Sequence, residues 1–220
     1  MSDPSALDPT LVHEDPHLLV LNKPSGLLSV PGLGPDKQDC LSLRAQQRWP
    51  DAMIVHRLDM ATSGLILMAR GPEMQKKLSM AFEKRQVHKR YQAVVLGSPA
   101  AKPDAQGWSR IDLPIRIDYF NRPRSIVDPV RGKPSLTLWR ALGPGPWPGT
   151  TRLLLEPQTG RTHQLRVHLM AQGHPIVGDP LYAPTEGRTL APRLLLHAGE
   201  LALRHPVTGH ALQLTQPAPF

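Results

Sequence analysis

The sequence predicts an α+β fold, because strand-like segments outnumber helical ones and the two kinds do not alternate regularly. Short apolar runs bounded by glycine and proline recur along the 220 residues, whereas only a few stretches show helical periodicity. No internal repeat is visible. A chain of this length is long for one domain and short for two, so we expect a single hydrophobic core.

Each predicted strand is a short apolar run that ends at turn residues. The strands are residues 18–21, 65–69, 91–96, 113–117 and 151–156. The run at 65–69 is almost continuously apolar, which is typical of a strand buried on both faces. Residues 200–216 alternate in polarity around the turn 206–209, so we expect a hairpin there, and 143–149 is predicted to be a surface loop between strands.

Helices are predicted at residues 39–49, 73–87 and 162–171. In the second, Met74, Leu78 and Phe82 recur at i, i+4 and i+8, which predicts one apolar stripe facing the core. The third is followed by Gly173, a residue type that commonly ends helices.

Composition indicates a polyanionic partner. The chain has 26 Lys and Arg against 18 Asp and Glu, a formal net charge of +8, and such an excess favours nucleic acid. The alternative is a soluble basic protein without such a partner. The single cysteine, Cys40, excludes an internal disulfide and a cysteine metal cluster. This fits a reducing compartment, so we expect a cytoplasmic protein.

The N-terminal stretch, residues 1–16, is acidic and contains proline, with no basic start followed by an apolar run. We therefore expect a tail rather than a signal peptide or a membrane anchor. No segment approaches the ~18 consecutive apolar residues of a transmembrane helix.

The most informative segment is residues 56–70, HRLDMATSGLILMAR. Asp59 lies close to Arg57, just ahead of turn residues 61–64 and the buried strand that follows. A carboxylate on a loop fixed by buried structure is a candidate reactive group.

Segment 56–65 resembles the catalytic signature of the RluA-type pseudouridine synthases. Three further regions agree in the family's order: 22–32, 89–95, and 159–168 with its continuations 173–179 and 193–198. The resemblance implies one catalytic domain over 17–220, preceded by the tail 1–16 and by no separate N-terminal RNA-binding domain. It also implies the pseudouridine synthase fold, a large mixed, mostly antiparallel sheet with flanking helices around a central cleft.

The implied activity is isomerisation of uridine to pseudouridine in structured RNA. The reaction breaks the bond from the anomeric carbon to N1 and joins the same carbon to C5, so nothing is oxidised and no group is imported. The sequence has no phosphate-cradling glycine loop and no metal-ligand spacing, so we expect no cofactor and no metal. The chain is most similar to the dual-specificity subgroup, whose members modify 23S rRNA uridine 746 and tRNA uridine 32. We expect a monomer.

Asp59 is the predicted catalytic residue, because cleavage at an anomeric carbon develops positive charge that a carboxylate stabilises or traps. Two routes stay open: attack on the anomeric carbon, or removal of a neighbouring sugar proton to give a glycal. The resemblance implies that Tyr91 stacks on the base or removes the C5 proton. A phenol pKa of about 10 favours stacking. The resemblance also implies that Arg166 pairs with the catalytic aspartate and keeps it ionised.

The resemblance gives Arg57 the role of entering the RNA helix where the flipped base has left. The alternatives are a phosphate contact or a surface ion pair. Our RNA-backbone candidates are basic residues. Lys23, Arg90 and Arg161 lie in the motif regions, and Arg122 and Arg124 lie in a basic loop, 121–124, that resembles a family feature near the substrate. Solvated surface charge is the simpler interpretation of each.

The histidines do not predict a metal site. His163 and His168 are five residues apart, roughly 140° around a helix, so they do not chelate one ion from a regular helix. We predict hydrogen-bonded structural roles for them and for His56 and His197.

Three other functions remain: a relative in the same family with a single rRNA or tRNA target, an inactive RNA-binding paralogue, and a small-molecule glycoside or nucleoside hydrolase. The last ordinarily needs a second carboxyl group as general acid, and none stands out near the signature.

Overall fold

The computed structural model describes residues 8–220, which form two compact units. The first unit contains residues 8–89 and His197–Pro219, and the second contains Arg90–Leu196 with Phe220. Residues 1–7 of the predicted tail lie outside the described residues. None of the helices formed by residues 8–220 has the length and apolar character needed to cross a bilayer.

Strands make up most of the regular structure. They are β1 Thr10–Glu14, β2 Leu18–Lys23, β3 Ala52–Ile54, β4 Ser63–Arg70, β5 His88–Leu96, β6 Ser109–Asp112, β7 Ile115–Ile117, β8 Ser125–Val127, β9 Leu136–Pro144, β10 Thr150–Pro157, β11 Leu196–Arg204 and β12 Ala211–Thr215. The helices are α1 Leu41–Arg48, α2 Gly71–Glu83, α3 Gln164–Ala171 and α4 Thr185–Thr189, with a short 3-10 turn at Pro35–Lys37. The α+β prediction is therefore confirmed.

The first unit is built on a mixed sheet in the order β1, β2, β4, β11, β12, with β3 also paired to β4. Strand β4 lies at its centre, and seven of its eight residues are buried, as its apolar sequence predicts. The pairings are antiparallel except for β4 with β11, which run parallel through Ser63 and Gly64. The last two strands form the predicted C-terminal hairpin.

Helix α2 covers the core of the first unit. Its residues Met74 and Leu78 are buried against Leu18, Leu65 and neighbouring apolar residues, and Phe82 packs at the margin. This confirms the predicted stripe, and burying one such leucine side chain contributes about 2 kcal/mol. The helix stops at Glu83, short of the predicted 87, because Arg85 adopts a left-handed backbone with φ 57°.

The second unit contains an antiparallel sheet in the order β5, β10, β9, β6 and a separate two-stranded hairpin, β7 with β8. Only residues 115–117 of the predicted strand 113–117 form a strand, β7, because residues 113 and 114 lie in the connection from β6, which was not predicted. Helix α3 begins at Gln164, two residues later than predicted, because His163 has a left-handed φ of 57°. Gly173, with φ 81°, follows its end as expected.

Some elements were not predicted. Strand β1 lies inside the predicted tail and pairs with β2. Strands β3, β6 and β8 were not predicted, because each has only three or four residues, too few to show a clear pattern. Strand β9 was implied only by the predicted loop between strands at 143–149.

The turn 61–64 ends in glycine because a side chain at position 64 has no room. The φ of Gly64 is +115°, and a Cβ placed there would come within 2.3 Å of the Ala198 carbonyl oxygen on β11. A side chain would therefore force β4 and β11 apart at the start of their parallel pairing. The residue is required by the close approach of the two backbones.

Candidate active site

Asp59 lies in the loop that joins β3 to β4 in the first unit. Its side chain is partly buried, and its carbonyl oxygen accepts a hydrogen bond from the Thr62 amide at 3.0 Å, which closes a turn. Thr62, the last residue of this turn, and Ser63, which follows it in the chain, are buried. The loop is therefore a short, hydrogen-bonded connection anchored on the central strand.

Lys23 holds the Asp59 loop through hydrogen bonds to backbone carbonyl oxygens. The side chain is fully buried, and its ammonium donates to the carbonyl oxygens of Pro24 at 2.8 Å, Leu27 at 2.7 Å and Met60 at 3.1 Å. Met60 immediately follows the candidate catalytic residue. A buried ammonium is tolerated only when such acceptors replace its water shell.

The prediction that Lys23 contacts the RNA backbone is wrong. A side chain with 0% exposure does not reach a phosphate in solvent. The residue instead ties the N-terminal motif to the Asp59 loop. Its position at the end of β2, beside Pro24, gave no indication of burial in a chain rich in surface cations.

Two serines of the same N-terminal segment hold the loop on either side of Asp59. Ser25 Oγ donates to the carbonyl oxygen of Ala61 at 2.7 Å. Ser29 Oγ donates to the Leu58 carbonyl oxygen at 2.8 Å and accepts from the Leu58 amide at 3.1 Å. These bonds go to the backbone, so they fix the loop whatever its side chains are.

Ser63 and His197 link the start of β4 to β11. Ser63 Oγ lies 2.8 Å from His197 Nδ1, and His197 Nε2 lies 3.1 Å from the Gln216 carbonyl oxygen. Because that carbonyl only accepts, Nε2 carries the proton and Nδ1 accepts from the serine hydroxyl. The predicted structural role of His197 is confirmed.

His56 precedes Arg57 and is held in a neutral form. Its Nε2 accepts the Leu67 amide proton at 2.9 Å, and its ring stacks on Phe82 at 4.4 Å between centroids. Burial, aided by the charge of Lys89, lowers the pKa of His56 to about 3. Its predicted structural role is confirmed.

Arg57 is exposed, and among residues 8–220 it has no hydrogen-bond, ion-pair or ring partner. Its neighbours His56 and Leu58 are both fixed to the framework, as described above. The arginine is therefore a free cation on an anchored backbone, an arrangement that suits insertion into a helix. That role stays a prediction.

Arg166 lies on α3 of the second unit and is 3% exposed. Its guanidinium makes a two-point ion pair with Asp179 at 2.8 Å for each bond and lies 5.0 Å from the Tyr182 ring centroid. Asp179 also accepts from the backbone amides of Leu181 and Tyr182. Sequence reasoning missed Asp179 as a partner, and the implied role of Arg166 toward the catalytic aspartate stays a prediction.

The remaining predicted residues of the second unit fall into several environments. Tyr91 lies in β5 opposite Leu155 of β10 and is partly buried. Arg90 pairs with Glu156 at 2.9 Å and stacks near Trp108.

Arg161 donates to the Pro134 carbonyl oxygen from two nitrogens, each at 3.3 Å. Arg122 and Arg124 are exposed near the β7–β8 hairpin. Their RNA contacts stay predictions.

His168 on α3 and His163, the residue just before α3, are hydrogen-bonded as predicted. His168 Nδ1 lies 2.9 Å from Thr137 Oγ1 and its Nε2 lies 2.9 Å from the Leu113 carbonyl oxygen, while burial lowers its pKa. His163 Nδ1 lies 2.8 Å from the Tyr182 hydroxyl. Within residues 8–220, no group of three or more His, Cys, Asp or Glu side chains is arranged to hold a metal ion.

A partly buried carboxylate on an anchored loop, together with a free arginine two residues away, suits an enzyme that acts on the sugar of a polyanionic substrate. The family model described as RNA pseudouridylate synthase matches residues 17–171. The chain therefore belongs to the RNA pseudouridine synthase family and is an isomerase that acts on RNA. This favours the isomerase over the small-molecule hydrolase.

Individual relatives extend this similarity over almost the whole chain. The dual-specificity RNA pseudouridine synthase RluA of Pasteurella multocida (strain Pm70) is 46% identical over 96% of this chain and 93% of its own length. The protein of that name from Escherichia coli (strain K12) is 44% identical with the same coverage.

A solved structure, human RNA pseudouridylate synthase domain containing 1, superposes with a TM-score of 0.79 at 31% identity over all of this chain and 87% of its own. Human RNA pseudouridylate synthase domain containing 4 gives a TM-score of 0.71 at 25% identity, covering 96% of this chain and 88% of its own. The predicted pseudouridine synthase fold is confirmed.

The structural role of Lys23 is testable by Lys23→Met, which keeps the aliphatic stem and removes the ammonium. We expect a loss of about 3 kcal/mol in the free energy of unfolding, since several buried carbonyls lose a charged donor. Urea unfolding followed by circular dichroism measures it. A phosphate contact would behave in the opposite way, with unchanged stability and a shallower salt dependence of RNA binding.

His56 predicts a pH dependence of stability. The folded protein keeps this ring neutral down to a pKa of about 3, whereas the unfolded chain protonates it near the ordinary value of 6.5. Its contribution is therefore present above pH 6.5 and is lost as the pH falls from 6.5 toward 3. A proton bound only by the unfolded state gives a slope of about 1.4 kcal/mol per pH unit.

Urea titrations between pH 7.5 and 4 measure that slope, which we expect to decrease in His56→Gln. Leu78→Val, which removes one buried methylene and no titratable group, should shift the stability without changing its pH slope. Equal slopes in the wild type and in His56→Gln would contradict the assignment.

Proposed function

We propose that this enzyme isomerises uridine in two structured RNAs, at uridine 746 of 23S rRNA and uridine 32 of tRNA. The observation that carries the proposal is the identity of up to 46%, over almost the full length of both chains, to enzymes named dual-specificity RNA pseudouridine synthases. The net charge of +8 supports binding to RNA stem-loops. A monomer acting in the cytoplasm is part of the same proposal.

In the proposed mechanism, Asp59 provides the carboxylate that acts on the ribose. It either bonds to the anomeric carbon as N1 leaves, or removes the adjacent sugar proton to give a glycal. In both routes the freed uracil turns and its C5 joins the anomeric carbon. In the first route this displaces the Asp59 carboxylate, and in the second the proton taken by Asp59 returns to the adjacent sugar carbon. The C5 proton is then lost while N1 gains one, so the product is an isomer of the substrate. The bonds from Lys23, Ser25 and Ser29 to the loop support this role, because they limit movement of the carboxylate.

Arg57 takes the position of the extruded nucleotide. Removing a nucleotide from its stack costs a few kcal/mol. A planar guanidinium lowers that cost, because it stacks on the neighbouring bases and its charge is attracted to the phosphates. The roles implied by the resemblance for Tyr91, which stacks on the target base, and for Arg166, which keeps the catalytic aspartate ionised, belong to this proposal. Arg90, Arg122, Arg124 and Arg161 are proposed as backbone contacts.

The target proposal is tested on unmodified tRNA and a 23S rRNA fragment, by carbodiimide labelling and primer extension. We expect pseudouridine at both sites with the wild type and none above background with Asp59→Asn, which keeps the side-chain shape. Asp8→Asn, at an exposed position, serves as the control. Modification of one RNA only would assign a single target, and RNA binding by a wild type that makes no pseudouridine would indicate an inactive paralogue.

The flipping role of Arg57 predicts a split between turnover and affinity. In Arg57→Ala we expect kcat to fall at least about tenfold, with a smaller rise in KM, because the side chain acts after the RNA has bound. The defect should shrink on an RNA whose target nucleotide is already unstacked. Unchanged turnover in single-turnover assays would exclude the role and leave Arg57 as a phosphate contact.

A further inference from the structure

The β7–β8 hairpin of the second unit presents aromatic rings to solvent. Phe120 is 96% exposed and Tyr119 is 64% exposed. Both lie in the connection between the two strands, residues 118–124, which we call the hairpin tip. Single exposed apolar side chains are common on proteins, whereas neighbouring ones that form a continuous apolar surface mark interaction sites.

The hairpin tip is ordered by its own hydrogen bonds. Asp118 and Arg124 are joined by a backbone bond of 2.9 Å, and the Arg124 amide donates to the Asn121 carbonyl oxygen at 2.9 Å. The Asp118 carboxylate accepts from the Phe120 amide and from Asn121 Nδ2, and the Asn121 bond is the main cause that lowers the pKa of Asp118. The rings are therefore displayed on a preorganised loop.

The hairpin is also anchored to the body of the second unit. The Ser125 amide donates to the Tyr182 hydroxyl at 2.7 Å, and Arg124 bonds to the Leu181 carbonyl oxygen. Arg116 on β7 is paired with Asp128, just after β8. The base of the hairpin is therefore fixed, and its tip carries the exposed rings.

Charge at the hairpin tip favours RNA over a protein partner. The guanidinium of Arg122 lies over the Tyr119 ring, 4.8 Å from its centroid, so a positive charge stands beside the exposed rings. Arg124, Arg131 and Lys133 are also exposed close by in the chain, whereas the carboxylates of Asp118 and Asp128 are engaged as described above. Aromatic rings among cations are the composition that binds unpaired nucleotides.

We propose that the hairpin tip binds an unpaired nucleobase of the RNA substrate, which stacks on Phe120, while Arg122, held over the Tyr119 ring, contacts the adjacent phosphate. This subsite lies outside the reacting nucleotide and rests on the proposed function for the identity of the RNA. It contributes affinity for the RNA and takes no part in the chemical step.

The test measures the dissociation constant by titration of a fluorescently labelled tRNA stem-loop, together with kcat and KM. Phe120→Ala should weaken binding about tenfold, within the range found for removing one stacked base. KM should rise while single-turnover kcat stays unchanged. Phe120→Trp should retain wild-type affinity because it restores a ring. Val207→Ala, at another exposed apolar position, is the matched control and should have no effect.

Two further measurements separate stacking from charge. Phe120→Ala should leave the slope of log affinity against log salt unchanged, whereas Arg122→Ala should reduce that slope by about one. Abasic substitutions through the RNA loop, one position at a time, should identify a nucleotide whose loss weakens the wild type but not Phe120→Ala.

Unchanged affinity and KM in Phe120→Ala would overturn the proposal. So would a wild-type dimer that Phe120→Ala converts to a monomer with RNA binding intact, since the hairpin tip would then be an interface between copies. Failure of the wild type to form pseudouridine would refute the proposed function alone, because the dissociation constants still report on the hairpin tip.

Discussion

The backbone of the Asp59 loop is held by donors from one N-terminal segment, and the proposed role of Asp59 depends on that restraint. A carboxylate that acts on a sugar must stay within about 0.5 Å of its working position, and loops do not by themselves provide such rigidity. Lys23, Ser25 and Ser29 supply it by bonding to carbonyl oxygens of residues 58, 60 and 61. Burying the Lys23 ammonium costs free energy, which the carbonyl acceptors offset only while the loop keeps its shape. Folding and loop geometry are therefore coupled.

The same restraint continues into the sheet. The loop runs directly into β4, the buried central strand of the first unit. Ser63 bonds to His197 on β11, and Gly64 allows the β11 backbone to approach to a distance that no side chain permits. The loop is thus fixed by hydrogen bonds on one side and by close-packed backbone on the other. Movement of either support would transfer to Asp59, because the connecting residues 62 and 63 are buried and have little room to adjust.

The sequence predicted those elements whose burial leaves a pattern among neighbouring residues. The apolar run of β4 and the stripe of α2 are visible in the sequence, because burial of one face imposes a period on neighbouring residues. Lys23 was misassigned for the opposite reason: its acceptor on Met60 is 37 positions away, and nothing near a lysine in the chain reports that distance. Asp179 was missed as the partner of Arg166 because the pair closes across 13 residues between a helix and a loop. Resemblance identified the motifs, and the fold explains what each one contacts.

The cations differ in what they must give up to bind RNA. Arg90 is paired with Glu156, and Arg124 is bonded to the Leu181 carbonyl oxygen, so a phosphate contact by either competes with an existing partner. Arg57 has no such partner among residues 8–220. An RNA contact by Arg57, as proposed, would break no existing pair, whereas one by Arg90 would have to replace its bond to Glu156. We therefore expect the proposed RNA contacts to contribute most where the folded protein leaves a cation without a partner, and the overall charge of the chain does not identify those positions.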